Sequence, residues 1–261
     1  MRQTITQLLQ KAPYHVRMYV KDCKTEQFFI REKLEETFSS ASLIKVPILL
    51  AVLNYLESTN QSLEQEVNIA PEEWVDFSII SEQRLEQSTI YELLVWMIIT
   101  SDNTAANVLI DFLGMDALNQ YFRQIGLVQT TIQRKMMDVE RLAQGFDNTT
   151  TASDMAQLFT RIYRRDLLSP TFSELTIDIL RRQRIHESLT RYLVDDVKIA
   201  HKTGGLETVD HDAGIVYSSS GDYLIGVFVT EVTNNDLARQ LIGRISKTVY
   251  ESLVKRKELI E

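Results

Sequence analysis

The chain is poor in cysteine, glycine and proline, and each scarcity excludes a class of structure. Its 261 residues include a single cysteine, Cys23, so an intramolecular disulfide and a cysteine-based metal site are both excluded. Nine glycines and four prolines are too few for long flexible linkers. A formal net charge of -8 leaves no strongly basic surface for sequence-independent binding of nucleic acid. We therefore expect an ordinary globular protein that has no nucleic-acid partner.

The sequence also lacks a recognisable export signal and a membrane span. Polar residues interrupt the first twenty positions, where a secretory signal would have an unbroken apolar run. The most apolar stretch, 43–56, contains Lys45, Pro47 and Asn54, so no unbroken run reaches membrane-spanning length. We expect no transmembrane segment. The expected location is the cytoplasm, or outside it if an N-terminal segment was removed.

Hydrophobic periodicity divides the chain into a helical middle and strand-rich ends. Residues 15–21 alternate with period two, and 27–31 follows after a short polar turn, which predicts a hairpin. Strand patterns return at 198–202, 214–218 and 223–232, and an amphipathic helix is predicted over 236–255. Helical periodicity fills the middle, at 46–56, 90–99, 105–113, 115–125, 152–163 and 172–183.

This order predicts one α/β domain of the α+β type, covering 1–261 and composed of two lobes. Strands from both chain ends form one antiparallel sheet, whose outer face the first and last helices cover. An all-helical lobe packs against the other face. The sheet lobe comprises about 1–38 and 190–261, and the helical lobe about 39–189, by the same periodicity. We expect a monomer with a cleft between the lobes.

Three short motifs carry the candidate chemistry. They are Ser-x-x-Lys at 42–45, Ser-Asp-Asn at 101–103 and Lys-Thr-Gly at 202–204. Ser42 begins a predicted helix, and Lys45 lies almost one turn later on the same face. A serine hydroxyl becomes a good nucleophile when a base takes its proton, and a buried lysine near other cations can have its pKa lowered enough to serve. Together the motifs predict a nucleophilic serine with a lysine base.

The three motifs, in this order, resemble those of class A β-lactamases and penicillin-binding proteins. The resemblance implies a β-lactamase/transpeptidase-like fold and an acyl-enzyme formed on Ser42, with Lys45 as the base. It also implies that Ser101 passes a proton to the leaving nitrogen of the scissile amide. Lys202 would tune Ser101 electrostatically.

The resemblance also assigns substrate-binding residues. Asn103 would donate to the acyl side chain of the substrate while its carbonyl oxygen holds Lys45, and Thr203 would bind the substrate carboxylate. Gly204 and Gly205 would let a ligand lie against the strand edge. The backbone N–H of Gly205, together with that of the nucleophile, would form the oxyanion hole.

The sequence departs from this family where deacylation is concerned. Class A β-lactamases keep a glutamate that positions the hydrolytic water, and its position falls on Met136 here when the stretch is anchored on Arg134. The nearby carboxylates that could replace it are Asp138 and Glu140. No arginine occurs on the strand predicted near 212–218, where many of these enzymes keep a carboxylate-binding one. Efficient β-lactamase turnover is therefore not expected.

These observations predict a serine hydrolase that cleaves an amide through an acyl-Ser42 intermediate. The substrate would be a β-lactam or a D-alanyl-type peptide, so the activity would be β-lactamase-like or D,D-peptidase-like, with slow deacylation. No cofactor is expected, and no metal, because His201, His211 and Asp212 lack paired ligand spacing. The alternative is a non-catalytic sensor that binds β-lactams or peptidoglycan fragments.

Overall fold

The computed structural model describes residues 1–193 and 197–258. Its strands are β1 (His15–Asp22), β2 (Phe28–Glu32), β3 (Thr37–Ser39), β4 (Glu66–Asn68), β5 (Gln87–Thr89), β6 (Thr149–Thr151), β7 (Lys198–Leu206), β8 (Val209–Tyr217) and β9 (Tyr223–Thr230). Its α-helices are α1 (Arg2–Lys11), α2 (Lys45–Thr59), α3 (Ile79–Gln83), α4 (Ile90–Ile99), α5 (Asn103–Leu113), α6 (Met115–Gln124), α7 (Val139–Ala143), α8 (Ala152–Arg164), α9 (Pro170–Arg181) and α10 (Asn235–Glu258).

Strands from both chain ends form one antiparallel sheet, which confirms the predicted fold class. The order across the sheet is β2-β1-β9-β8-β7, so the first hairpin pairs with the last strand. Two predicted strand limits were wrong. β8 begins at Val209 instead of 214, because its polar residues 210–212 are buried and hide the apolar signal. β7 runs on to Leu206 instead of ending at the glycine pair.

The first and last helices cover one face of the sheet. Ile5 of α1 and Ile242 of α10 pack with Val20, Ile225 and Val227 in one buried cluster. Leu237, near the start of the predicted amphipathic helix, is 52% exposed and does not join this cluster.

The helical lobe packs on the opposite face through a larger core. Leu43, Leu94 and Phe159 from this lobe share a buried cluster with Tyr19 and Phe228 of the sheet. The stretch Ala41–Thr59 is long and apolar enough to cross a membrane by length and composition, but 72% of its apolar window is buried inside the protein. That burial is typical of a central core helix.

The predicted helices of this lobe are all present, although the motif at 42–45 begins differently from the prediction. Ser42 lies in a 3-10 helix, Ala41–Ile44, and the α-helix α2 begins only at Lys45. The helix α4 has the predicted bounds because Thr89 and Glu92 form a reciprocal capping box at its start. The motif Ser-Asp-Asn lies between α4 and α5, as predicted.

Candidate active site

One cavity of about 590 Å³ opens between the helical lobe and the edge strand β7. Six of the eight residues predicted to be catalytic or substrate-binding line it, namely Ser42, Ser101, Asn103, Thr203, Gly204 and Gly205. Lys45 and Lys202 are fully buried, and both reach the Ser101 hydroxyl. The fold therefore brings all three motifs together at one place.

A hydrogen-bond network centred on Ser101 joins the two lysines. The Nζ of Lys45 donates to the Ser101 carbonyl oxygen at 2.6 Å, to its Oγ at 3.3 Å and to Oδ1 of Asn103 at 2.7 Å. From the opposite lobe, the Nζ of Lys202 donates to the same Oγ at 3.0 Å and to the Thr203 carbonyl oxygen at 2.8 Å. The Ser101 hydroxyl thus lies between the side-chain nitrogens of the two lysines and can exchange a proton with either.

Burial makes both lysines weaker cations than lysines in water. Desolvation lowers the pKa of Lys45 well below its ordinary value, and the nearby charge of Lys202 lowers it further. Desolvation also lowers the pKa of Lys202, to about 7, against an opposing effect of Asp212. A lysine that loses its proton near neutral pH can act as a general base. Lys45 has the environment that such a base requires.

The backbone around Ser42 is held close to β7. The absence of a side chain at Gly204 eases this contact, because a Cβ there would lie 3.3 Å from both the Ser42 backbone nitrogen and the Ser40 carbonyl oxygen. Among the residues that the structure describes, none accepts or donates a hydrogen bond at the Ser42 hydroxyl, which faces the cavity. The hydroxyl is therefore free to approach a ligand.

The Ser-Asp-Asn turn is fixed by its middle residue. Asp102 is buried, caps α5 by accepting from the Ala105 N–H at 2.9 Å, and accepts from the Ile79 N–H at 2.7 Å. The amide of Asn103 donates to the Asp76 carbonyl oxygen at 3.0 Å. Since its Oδ1 accepts from Lys45, both ends of this side chain are held.

Four residues of the cavity wall have a strained backbone conformation. Ala41, Phe77, Ser101 and Met137 all have positive φ, between 45° and 64°, and all four line the cavity. For a residue with a Cβ this left-handed conformation costs about 1–2 kcal/mol. Such strain is typical of functional sites, where the surrounding packing fixes unusual directions of the chain.

The wall expected to hold the deacylation machinery is apolar. Met136 is 7% exposed and lines the cavity, and Asn107 fixes its backbone by two hydrogen bonds, of 2.7 and 3.1 Å. Asp138 caps the short helix α7 by accepting from the Arg141 N–H, and Glu140 is exposed. Neither carboxylate lines the cavity within the described chain, so their suggested role in deacylation has no support from this geometry.

A charged cluster that was not predicted from the sequence lies at the β8 end of the cavity. Arg239 of α10 donates from Nε to Asp210 at 2.9 Å and forms a second ion pair, with Glu187, at 2.5 Å. Both the arginine and the two carboxylates line the cavity. Only chain folding brings positions 187, 210 and 239 together, so no local pattern in the sequence could have indicated this cluster.

The histidines near the third motif have structural partners. His201 pairs through Nδ1 with Asp212 at 2.8 Å, and both side chains are buried. The Nε2 of His211 donates to the Ser39 carbonyl oxygen at 2.9 Å, and desolvation lowers the pKa of His211 to about 4. Within 1–193 and 197–258, no three His, Cys, Asp or Glu side chains are grouped to hold a metal ion.

Comparison with known proteins gives one consistent result. The model of the β-lactamase enzyme family matches residues 1–253, a range that contains all three motifs. β-Lactamase AER-1 of Aeromonas hydrophila is 30% identical over 227 residues, which are 84% of this chain and 75% of that protein. The structure of PBP-A is 30% identical, with a TM-score of 0.88 over 97% of this chain and 96% of that one. A β-lactamase from Chitinophaga pinensis DSM 2588 is 25% identical, with a TM-score of 0.89 over 96% of this chain and 98% of that one.

Proposed function

The chain belongs to the β-lactamase enzyme family, and from this premise we propose that it is a serine hydrolase that forms a slowly hydrolysed acyl-enzyme on Ser42. The observation that carries the proposal is the shared contact of Lys45 and Lys202 with the Ser101 hydroxyl, beside a nucleophile that faces the cavity. A protein that only bound ligands would not need two buried lysines around one hydroxyl. The burial of each costs stability.

Acylation begins with proton transfer from Ser42. Neutral Lys45 takes the hydroxyl proton as Oγ attacks the substrate carbonyl carbon, and a tetrahedral intermediate forms. The backbone N–H groups of Ser42 and Gly205 would stabilise its negative oxygen. The C–N bond then breaks as Ser101 gives its hydroxyl proton to the leaving nitrogen. Lys45 returns the first proton to Ser101, so the step ends with an ester on Ser42 and a neutral base.

The two lysines have different tasks in this scheme. Lys45 must be neutral at the start, and burial together with the charge of Lys202 favours that state. Lys202 donates to Ser101 and must be protonated in this scheme. Because its pKa is about 7, a large fraction of Lys202 is protonated only up to neutral pH. Acylation should therefore rise with pH as Lys45 loses its proton and fall as Lys202 does.

Deacylation needs a base for water, and the wall at Met136 offers none. A thioether cannot take a proton from water, and Asp138 caps a helix away from the cavity lining. The acyl-enzyme should therefore accumulate with a β-lactam. One matched structure is described as an acyl-enzyme complex of a PBP-A mutant with penicillin G, which makes penicillin G a suitable first probe. A D-alanyl-type peptide is the second substrate class that we propose.

The test is covalent labelling with a fluorescent penicillin. Wild-type protein should become labelled, and intact mass should rise by the mass of the penicillin and stay raised for minutes or longer. Ser42→Ala should not label. Ser39→Ala is the matched control because Ser39 is a near neighbour on β3 and does not line the cavity. Equal labelling of Ser42→Ala would overturn the assignment, and rapid turnover with no adduct would overturn slow deacylation.

A further inference from the structure

A serine outside the three motifs also opens into the cavity. Ser188 lines the cavity, although the residue is only 4% exposed. Its hydroxyl is not fully enclosed by protein, and it has no hydrogen-bond partner within the described parts of the chain. A mostly buried polar group without a protein partner is normally completed by water or a ligand. The Ser188 hydroxyl is therefore available to a polar atom of a bound substrate.

The chain on either side of this serine is tied to β8. The Leu189 N–H donates to Oδ2 of Asp212 at 3.0 Å. The Glu187 carboxylate pairs with Arg239, whose Nε donates to Asp210 at 2.9 Å. The serine between these two ties is thus fixed beside the strand.

The strand register places the serine next to Thr203. Asp212 of β8 is paired directly with Thr203 of β7. Two residues along, Asp210 is paired with Gly205. Residues directly opposite each other in an antiparallel pair have Cβ atoms about 5 Å apart. Since Ser188 lies between the residues that are tied to these aspartates, its hydroxyl and that of Thr203 belong to the same part of the cavity.

Lys202 is a buried cation beside these hydroxyls, and it has no acidic partner. Its Nζ donates to the Thr203 carbonyl oxygen at 2.8 Å and to the Ser101 hydroxyl at 3.0 Å. No carboxylate of the described chain forms an ion pair with it. Burial lowers its pKa to about 7 against an opposing effect of Asp212, and an anion bound nearby would favour the protonated lysine.

The other charged groups that line the cavity are either paired or exposed. They are Arg134, which is paired with Asp147, Arg239, which is paired with Glu187 and Asp210, and the exposed Glu207. Paired charges largely cancel, and water screens an exposed one. The unpaired buried charge that a ligand group at the two hydroxyls meets is therefore that of Lys202.

We infer that Ser188 is a further substrate-binding residue, whose hydroxyl donates to the same substrate carboxylate as the hydroxyl of Thr203. The inference rests on the proposed function, which identifies the cavity as the substrate site. A carboxylate has four acceptor positions and can accept from both hydroxyls at once, with the Lys202 ammonium close by. Ser188 belongs to none of the three motifs, so it adds a specificity-determining residue from a separate part of the chain.

Equilibrium binding to the Ser42→Ala protein tests this role without a covalent step. The probes are penicillin G and its methyl ester, titrated at pH 6.5, where Lys202 is mostly protonated, and followed by NMR. Ser188→Ala, added to Ser42→Ala, should weaken binding of the acid about tenfold, because a hydrogen bond to a charged group is lost. Binding of the ester should weaken no more than about twofold, because the ester oxygens carry no charge.

The matched control is Ser246→Ala in the same Ser42→Ala background. Ser246 of α10 is a buried serine whose hydroxyl has no partner in the described chain and which does not line the cavity. Both affinities should stay unchanged in this variant. Ser188→Ala removes no hydrogen bond of the unliganded protein, so its midpoint of urea unfolding should equal that of Ser42→Ala.

An acid affinity that Ser188→Ala does not change, or an equal loss for the acid and the ester, would overturn the inference. Penicillin G that does not bind to Ser42→Ala at all would overturn it as well. Failure of the proposed function gives a different result. In that case fluorescent penicillin would not label wild-type protein at Ser42, while Ser188→Ala would still weaken binding of the acid.

Discussion

The two sides of the cavity differ in how their polar groups are arranged. On the acylation side, Lys45, Ser101 and Lys202 form a connected network with donor–acceptor distances of 3.0 and 3.3 Å at one hydroxyl. On the deacylation side, the wall is Met136, whose main chain is fixed by Asn107. The acylation side can transfer protons, whereas the side chain of Met136 on the deacylation side can only pack against a ligand and exclude water.

This difference separates two steps that a β-lactamase must both complete. In the proposed mechanism, forming the ester requires a base for Ser42 and an acid for the leaving nitrogen, and Lys45 and Ser101 would supply them. Hydrolysing the ester requires a base for water, and general base catalysis typically contributes about 10²–10⁴-fold. A cavity with only the first set should capture a β-lactam efficiently and release it slowly.

The largest expected effect comes from removing the base on the acylation side. Lys45→Met should lower the rate of labelling by penicillin about 10²–10⁴-fold, because the Ser42 hydroxyl loses its proton acceptor. Stopped-flow or timed mass spectrometry measures this rate. Lys135→Met is the control, since Lys135 is an exposed lysine paired with Asp111. A rate within threefold of wild type would mean that another group takes the proton.

The second largest effect is expected from adding a base to the deacylation side of the cavity. Met136→Glu places a carboxylate at the cavity wall, where partial burial favours a basic carboxylate, and should shorten the lifetime of the penicilloyl adduct about 10²-fold or more. Met136→Gln is the matched control, with the same size and no basic group. If both variants shorten the lifetime equally, the change reflects access of water and not base catalysis.

Much of this molecule could be predicted because strong local signals agree with the tertiary fold. The helix α4 carries its own capping box, and the first hairpin alternates cleanly, so both were found. The three-residue strands β3 and β6 were missed because they are too short to show a period. The predicted β8 was too short because its polar residues Asp210 and Asp212 are buried by pairing with Arg239 of α10 and with His201 of β7, which no local pattern shows.

The candidate site was also predicted in part and missed in part. The residues within each motif were predicted because each motif is contiguous and the three share one order. Their distances could not be predicted, since the bond between Lys202 and Ser101 joins positions 101 residues apart. The pairing of Arg239 with Asp210 was missed because no local pattern links a helix residue to a residue of a strand. The hydrophobic pattern of the sequence predicts helices and strands. Ion pairs between distant residues can be seen only once the chain has folded.

A smaller effect tests the stability cost of the acylation network. The folded-state pKa of Lys202, about 7, lies below the ordinary value of 10.5, so between these pH values the unfolded chain binds more protons than the folded one. The free energy of unfolding should therefore rise with pH in this window, by on the order of 1 kcal/mol per pH unit for this lysine. Lys202→Met should flatten the rise. Urea unfolding at pH 7.5, 8.5 and 9.5 measures it.

The control for this experiment is Lys247→Met, because Lys247 is a half-exposed lysine on α10 whose pairing with Glu251 spans 3.9 Å. It should leave the pH dependence as in wild type. Parallel profiles for wild type and Lys202→Met would mean that Lys202 keeps its ordinary pKa in the folded protein, and that the network does not destabilise a charged lysine.

The smallest effect is expected from the two carboxylates nearest to Met136. Asp138→Asn should leave the adduct lifetime within about twofold, because the carboxylate already accepts from the Arg141 N–H as a helix cap. Glu140→Gln should do the same, because that side chain is exposed and lies outside the cavity lining. Asparagine also caps helices well, so we expect the Asp138→Asn protein to remain folded. A lifetime at least tenfold longer in either variant would show that α7 moves toward the ester in the acylated protein. That carboxylate would then supply the base that Met136 lacks, and the contrast between the two sides of the cavity would hold only for the unliganded protein.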